Sequence, residues 1–454
     1  MHILTKAKLP EVIDLFSGCG GLALGIQQAG FSITHGIELM ESAVKTANMN
    51  LSIKKGLPPL HICGDITQMD EHIFNDKIGE NGCVIIGGPP CQAYSLIGRG
   101  KLNSLVKDEY SYLDDKRGYL FEDYLRFVIG TGARAAVMEN VRQCVSYGKI
   151  NVPEYVANVL EKHGYTVYWT ILNSADYGVP QIRERMILFA AKGKLEPVMP
   201  QPVYSGSLYN NLYAGVGLKE FQKYPHFIMP LKRHRKRPAW ITVGEAIGDL
   251  PELQTSVAQS YQLYPVMMGL PYSTEPQNEY QQRMRKNTDE YVTGNSYRNT
   301  PRDFPIFARM EEGDNFASAS VIADRLFESA CQNRHISPGS PEGKRLRKKI
   351  VPPYSRDKFL EKWKKLDRNK PSHTLVAHLF FDTYSHIHPW EPRGISVREA
   401  ARLQSFPDDF VFPCPMGDAF KQIGNSVPPL MAEGIGKALK KLLEEQEKKY
   451  GFTE

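Results

Sequence analysis

The sequence predicts an α/β protein: a doubly wound, parallel sheet with an inserted smaller, irregular domain. Three observations predict it. Short apolar runs alternate with amphipathic stretches as far as residue 195. Glycines crowd the turn after the first run, where doubly wound sheets bind their ligands. After Lys194 the alternation stops, and Pro, Tyr, Asn, Gln and charge runs replace it.

The elements follow in order. EVIDLF is an apolar, β-branched strand, and SGCGGLALGIQQAG turns through glycines into a helix ending at Gly30. FSITHGIEL is the second strand and MESAVKTANMN the second helix. A short segment ends at Gly64–Asp65, and CVIIGG is a buried strand stopped by Pro89. YLFEDYLRFVIGTG is a helix, RAAVMENV a strand, VPEYVANVLEKHG a helix, and YTVYWTILN and RMILFAA are strands. Strands this apolar imply burial on both faces. Order returns at SVREAARLQSF, where Ser396 and Glu399 form a capping box, and a last helix runs through PPLMAEGIGKALKKLLEEQEKK. The expected domains are therefore 1–198, 199–394 and a return segment, 395–454.

Composition narrows the class. Of 454 residues, 42% are hydrophobic and 23% charged, which is ordinary globular usage. The N-terminus lacks a signal pattern and no 18-residue apolar run occurs, so a cytoplasmic chain without a membrane span is expected. Seven scattered cysteines without a CxxC argue against a disulfide frame or a Cys-based zinc site. Net charge is +6, yet residues 201–390 hold 27 Lys/Arg against 19 Asp/Glu, a surplus of eight. A polyanionic partner or a solvated basic face accounts for that equally.

Chemistry concentrates at strand ends. Gly18, Gly20 and Gly21 permit close approach of a ligand to backbone, and Glu38 lies twenty residues past Gly18, where an acid bonds ribose hydroxyls. Asp65 suits an adenine amino group. The glycines do not spell GxGxxG, so an adenosine without a pyrophosphate fits, and S-adenosylmethionine is such a ligand. Cys91 follows Pro90, whose fixed φ restricts the approach to the thiol. A long charged loop, LIGRGKLNSLVKDEYSYLDDKRG, follows. Glu139 is a proton donor if burial raises its pKa, or else a structural ion pair. Arg183 and Arg185 share one face of a strand, as a bidentate grip or a fold-stabilising pair. His373, His378, His386 and His388 match no structural zinc spacing, and no metal is expected.

The ordered set DLFSGCGG, GGPPCQAYS, MENV, LNSADYGVPQIRER, REAARLQSFPD and KQIGNSVPP resembles the cytosine-5 DNA methyltransferase family, of bacterial restriction-modification or orphan type. The likeness covers about 1–195 and 395–440; residues 199–394 fall where that family keeps its target recognition domain. It implies the S-adenosylmethionine-dependent methyltransferase variant of the doubly wound fold, double-stranded DNA as substrate, a monomer, and a cognate restriction endonuclease acting independently. It also implies roles. Cys91 matches the nucleophile, Glu139 the acid at cytosine N3, and Arg183 and Arg185 the arginines that hold the base. Phe16, Gly18, Gly20, Glu38, Asp65, Ile66, Pro90, Leu120, Asn425, Ser426 and Val427 match the cofactor pocket. Gln92, Ser95 and Thr374 match DNA-contacting positions. An amino-methylating enzyme is excluded, because Gly88 precedes the two prolines and Cys91 follows them. A tRNA-directed relative and a non-catalytic DNA-binding homologue are the remaining alternatives.

Overall fold

The structure is a computed structural model that describes residues 9–90, 119–146, 150–206, 217–231, 236–253, 265–288, 290–355, 362–380 and 384–451. Its contacts divide the chain into two compact units, Met1–Trp240 with Ser426–Glu454, and Ile241–Asn425.

The first unit is built on seven strands: β1 (Glu11–Leu15), β2 (Ile33–Glu38), β3 (His61–Cys63), β4 (Cys83–Gly87), β5 (Ala135–Val141), β6 (Tyr165–Asn173) and β7 (Glu184–Lys192). Their order is β3-β2-β1-β4-β5-β7-β6. Helices α1 (Gly21–Gln28), α2 (Glu41–Leu51), α3 (Leu120–Gly130) and α4 (Val152–Lys162) connect them. The order reverses beside β1, so the carboxyl ends of β1 and β4 flank a topological switch point. β4 is buried throughout, as a central parallel strand must be. Ile13, Leu15, Ile85, Tyr124, Phe127 and Leu160 belong to the core.

One strand departs from the parallel sheet that the sequence predicts. β7 runs antiparallel to both β5 and β6. A parallel return needs a crossover of a dozen or more residues, usually a helix. Only the short connection 174–183 joins β6 to β7, so β7 enters the sheet in reverse.

The C-terminal helix, Pro429–Tyr450, returns to the first unit and packs on α1. Small residues make the contact possible. A Cβ at Gly25 would collide with the Pro429 carbonyl oxygen and Ala432, and one at Gly436 would press on the Ala29 methyl. No helix of the described residues is long and apolar enough to cross a membrane.

The second unit is mostly helical and loop-rich, around an aromatic core of Tyr297, Phe304, Phe307, Phe316, Trp363 and Tyr384. The capping box forms: Glu399 N–H donates to Ser396 Oγ (3.2 Å) and Ser396 N–H donates to Glu399 Oε2 (2.7 Å). Its helix, Val397–Leu403, belongs to this unit. Arg402, fully buried, donates to Asp408 Oδ1 (2.6 Å) and Asp249 Oδ1 (3.0 Å). Residues 199–240 stay with the first unit, where Trp240 Nε1 donates to Asp176 Oδ1 at 2.9 Å. The sequence boundaries at 198/199 and 394/395 therefore mark changes of composition, while the contacts divide the chain at 240/241 and 425/426.

Asp249 and Asp408 are nearly inaccessible, and Arg402 is the cation they share, at 3.0 and 2.6 Å, while Arg285 lies 3.3 Å from Asp249 and Arg398 3.7 Å from Asp408. Arg402→Met should cost about 3–5 kcal/mol. The check is the urea midpoint of the full-length protein; an unchanged midpoint would show that the two carboxylates do not depend on this guanidinium.

Candidate active site

The first glycine turn departs sharply from regular backbone. Phe16, Gly18 and Gly20 all take positive φ, at 55°, 54° and 89°. Glycine adopts this region freely, whereas Phe16 is strained there. The turn is pinned from β2: Ser17 N–H donates to the Ile37 carbonyl (3.1 Å), and Gly18 N–H donates to Glu38 Oε2 (2.9 Å). Met40 N–H donates to Glu38 Oε1 at 2.8 Å. Both Glu38 oxygens are thus oriented by backbone, and the carboxylate stands fixed at the end of its strand. A Cβ on Gly18 would meet nothing within 4 Å, so space is open beside this turn. Gly20 has a different task, because a Cβ there would strike Leu51 Cδ1 at 2.5 Å; it packs α1 against α2.

Asp65 ends the segment after β3 and is exposed. Its Oδ1 caps the turn Ile66–Gln68 by accepting from Thr67 N–H (3.0 Å) and Thr67 Oγ1 (2.8 Å). Ile66 is buried, while Phe16 and Leu120 are partly buried against the core. Leu39, immediately after Glu38, is 69% exposed and adds an apolar surface to this edge.

The GGPP segment is shaped by contacts on each residue. A Cβ at Gly87 would lie 2.6 Å from the Leu15 carbonyl oxygen, so only glycine lets β4 end against β1. A Cβ at Gly88 would lie 3.0 Å from Glu139 Oε2. The Pro89 carbonyl accepts from Asn140 Nδ2 at 3.1 Å. Two glycines therefore bring this segment against Glu139, and Asn140 holds it there. Cys91, Gln92 and Ser95 lie outside the described residues, as does the loop after them, 96–118.

Glu139 sits at the end of β5 and is 8% exposed. Register pairs Glu139 with Ile187 and Val141 with Arg185, which makes Glu139 and Arg185 diagonal neighbours on one face. Arg185 Nε lies 2.8 Å from Glu139 Oε1. Burial raises the Glu139 carboxyl above its ordinary value, and the nearby Arg185 and Arg183 guanidiniums oppose that rise. Arg183, just before β7, is almost fully buried, and its Nη2 donates to the Ser426 carbonyl at 3.2 Å. Arg183 thus links the β7 edge to the return segment that carries Ser426 and Val427.

Within the first unit, then, Glu139, Arg183 and Arg185 converge, and Glu38 and Gly18 meet at the glycine turn. Asn425 ends the helix Met416–Asn425 in the second unit, and Gly424 precedes it. A Cβ on Gly424 would collide with the Val376 carbonyl group and the Ala377 nitrogen, so this glycine permits close packing of the segment that follows Thr374 and Leu375. The histidines are engaged locally. His373 and His386 stack at 4.0 Å, each Nε2 near a backbone carbonyl oxygen. His388 lies beside Glu391 and Glu399, whose carboxylates already receive Arg393 at 2.7 Å each.

Sequence reasoning missed two features here. Asn140 was visible only as a neighbour of Glu139, and its bond to Pro89 crosses from β5 to β4. Asp14 and His61 form a buried pair at 4.0 Å across Gly36, whose missing side chain makes room for the imidazole. The aligned glycine was the one available signal.

Known proteins resemble this chain over nearly its whole length. The family described as C-5 cytosine-specific DNA methylase matches residues 11–441. A candidate type II methyltransferase of Oceanobacillus iheyensis, M.OihORF3336P, is 49% identical over 96% of both chains. Type II methyltransferase M.AgeI of Thalassovita gelatinovora is 31% identical over 95% of this chain and 99% of its own. A solved structure of a candidate DNA modification methyltransferase from an E. coli prophage shares the fold, with a TM-score of 0.62 at 24% identity, over 96% of this chain and 99% of that one. A glycine turn fixed by Glu38, a GGPP segment held against a buried carboxyl and a family match across nearly the whole chain lead to one conclusion: this chain belongs to the C-5 cytosine-specific DNA methylase family.

Proposed function

We propose that the protein transfers the methyl group of S-adenosylmethionine to carbon 5 of a flipped-out cytosine in a specific duplex DNA sequence, through a covalent bond from Cys91 to carbon 6. The observation that carries this reading is the buried Glu139 carboxyl, held by Arg185 on one oxygen while the other faces the GGPP segment that leads to Cys91.

The residues at the glycine turn fit the cofactor. Gly18 leaves open space beside the backbone, Glu38 presents an oriented carboxylate for ribose hydroxyls, and Phe16, Leu39 and Ile66 offer apolar surface for an adenine. Asp65 keeps one oxygen for its own turn and has a second for an exocyclic amine. The resemblance further implies cofactor roles for Gly20, Pro90, Leu120, Asn425, Ser426 and Val427. When bound, the cofactor supplies an electrophilic methyl group.

Carbon 5 of cytosine is a weak nucleophile. Addition of the Cys91 thiolate to carbon 6 pushes electrons toward N3 and makes carbon 5 enamine-like. Glu139, whose hold on a proton burial strengthens, donates to N3 and stabilises the charge that develops there. Arg185 fixes the Glu139 carboxyl, and Arg183 braces the same edge. After methylation the carbon 5 proton leaves to a base, and elimination of Cys91 restores the ring. Stacked bases do not expose this face, so the cytosine leaves the helix first. Gln92, Ser95 and Thr374 are the proposed DNA contacts. Residues 199–394, with the basic surplus, are the proposed target recognition domain. The named relatives are type II methyltransferases, which supports an independently acting cognate endonuclease.

Cys91→Ser should abolish transfer of labelled methyl groups to DNA while leaving the fold intact by circular dichroism. Turnover near the wild-type rate would rule out covalent attack by this residue.

The pH dependence follows from Glu139. Its folded pKa is raised, so the proton that assists N3 persists above the ordinary carboxylate range and is lost as pH rises through the raised value. That loss should appear as an alkaline limb in kcat/KM. Glu139→Gln should lower kcat by about 10²–10⁴-fold and remove the alkaline limb. A limb that persists in the variant belongs to another group.

A further inference from the structure

The second unit carries a helical hairpin formed by Phe316–Asn333 and Pro341–Ile350. The hairpin has a small core of its own, Phe327, Cys331 and Leu346, with Ile336 and Ile350 packed against it. On the second helix Gly343 and Leu346 are buried and Ile350 partly so, which is one apolar stripe at helical spacing. Arg347 flanks that stripe. Its Nη2 donates to Asp324 Oδ1 at 2.9 Å, and its guanidinium lies 5.3 Å from the Phe327 ring.

Lys344, Arg345, Lys348 and Lys349 behave differently. All four are exposed, and none makes an ion pair among the described residues. Helix physics does not explain them. The helix dipole favours cations in the last turn, which accounts for Lys348 and Lys349 but not for Lys344 and Arg345 nearer the start. Lys344–Lys348 and Arg345–Lys349 are like-charge pairs four residues apart, which destabilise a helix by a few tenths of a kcal/mol each. A face kept for solubility intersperses both signs, whereas Glu342 is the single acid on this helix.

We propose that this face of helix 341–350 binds the phosphate backbone of duplex DNA without reading sequence, holding the enzyme on its substrate. The inference rests on the reading of duplex DNA as substrate. DNA is the occupant that the charge fits: it carries about one negative charge per 1.7 Å of axis, dense enough to engage four clustered cations together. Contacts of this kind raise affinity for any duplex and leave the choice of target base to other residues.

The test uses the full-length protein and a short random-sequence duplex, titrated by fluorescence anisotropy across a series of NaCl concentrations. In the variant Lys344→Gln, Arg345→Gln, Lys348→Gln, Lys349→Gln, Arg347 stays in place to keep the hairpin packed. Each phosphate contact contributes about 0.9 to the slope of log Kd against log salt, so the slope should fall by about two to four. The pairwise variants K344Q/K348Q and R345Q/K349Q should each show about half the loss, which keeps the test decisive if the fourfold variant misfolds. A control variant, K437Q/K441Q/K448Q, removes exposed cations from the C-terminal helix and should leave the slope unchanged. An unchanged slope in the hairpin variants, or an equal fall in the control, overturns the inference. A wild-type protein that methylates DNA while the hairpin variants keep its slope would sink this surface alone. A wild-type protein that neither binds nor methylates DNA would sink the functional reading with it.

Discussion

Burial of the Glu139 carboxyl is the constraint on which the rest of the site depends. A carboxyl group removed from water is costly when charged, and two answers to that cost are visible around it. Arg185 takes one oxygen in a charge-assisted bond, and the group's pKa rises so that the proton is retained more readily. The second oxygen is approached by backbone at Gly88, where any side chain would press on it. The chain therefore cannot carry a larger residue before its two prolines without moving the acid. Asn140, next to Glu139, reaches across to the Pro89 carbonyl and fixes the same segment from the other side. One strand end thus positions both the acid and the path to Cys91.

The glycine turn follows the same logic of backbone control. Glu38 is oriented by two N–H donors before any ligand arrives, so its geometry costs little to organise on binding. Strain at Phe16 is tolerated because the turn is tied to β2 through Ser17 and Gly18. Small residues do comparable work elsewhere: Gly25 and Gly436 let the last helix lie on α1, and Gly424 admits the backbone of Val376.

Much of the first unit was legible because its strands are buried on both faces and its turns use glycine and proline. The apolar runs of β1, β4 and β5 and the capping box at Ser396 each specify a local structure by themselves. The direction of β7 was not legible, since an apolar strand reads the same in either sense and only its short connection to β6 decides. Nor was the place of the helix 397–403, which is set by Arg402 meeting Asp249 more than 150 residues earlier in the chain. Glu139, Arg183 and Arg185 were readable as candidates from residue type and position. Their convergence required the diagonal register of β5 against β7, which no spacing in the sequence encodes.

In the proposed reading, clustered cations on the hairpin and the acid at β5 divide two tasks, general affinity for a polyanion and chemistry at one base. The central proposal concerns the second: that the GGPP segment leads to a nucleophile, Cys91, acting on a base bound by Glu139. The most direct measurement is mass spectrometry of the protein after turnover on a duplex carrying 5-fluorocytosine, whose carbon 5 cannot release a proton. The account predicts a stable adduct on the peptide that contains Cys91. No adduct under conditions where unmodified DNA is methylated, or an adduct on another residue, would contradict it.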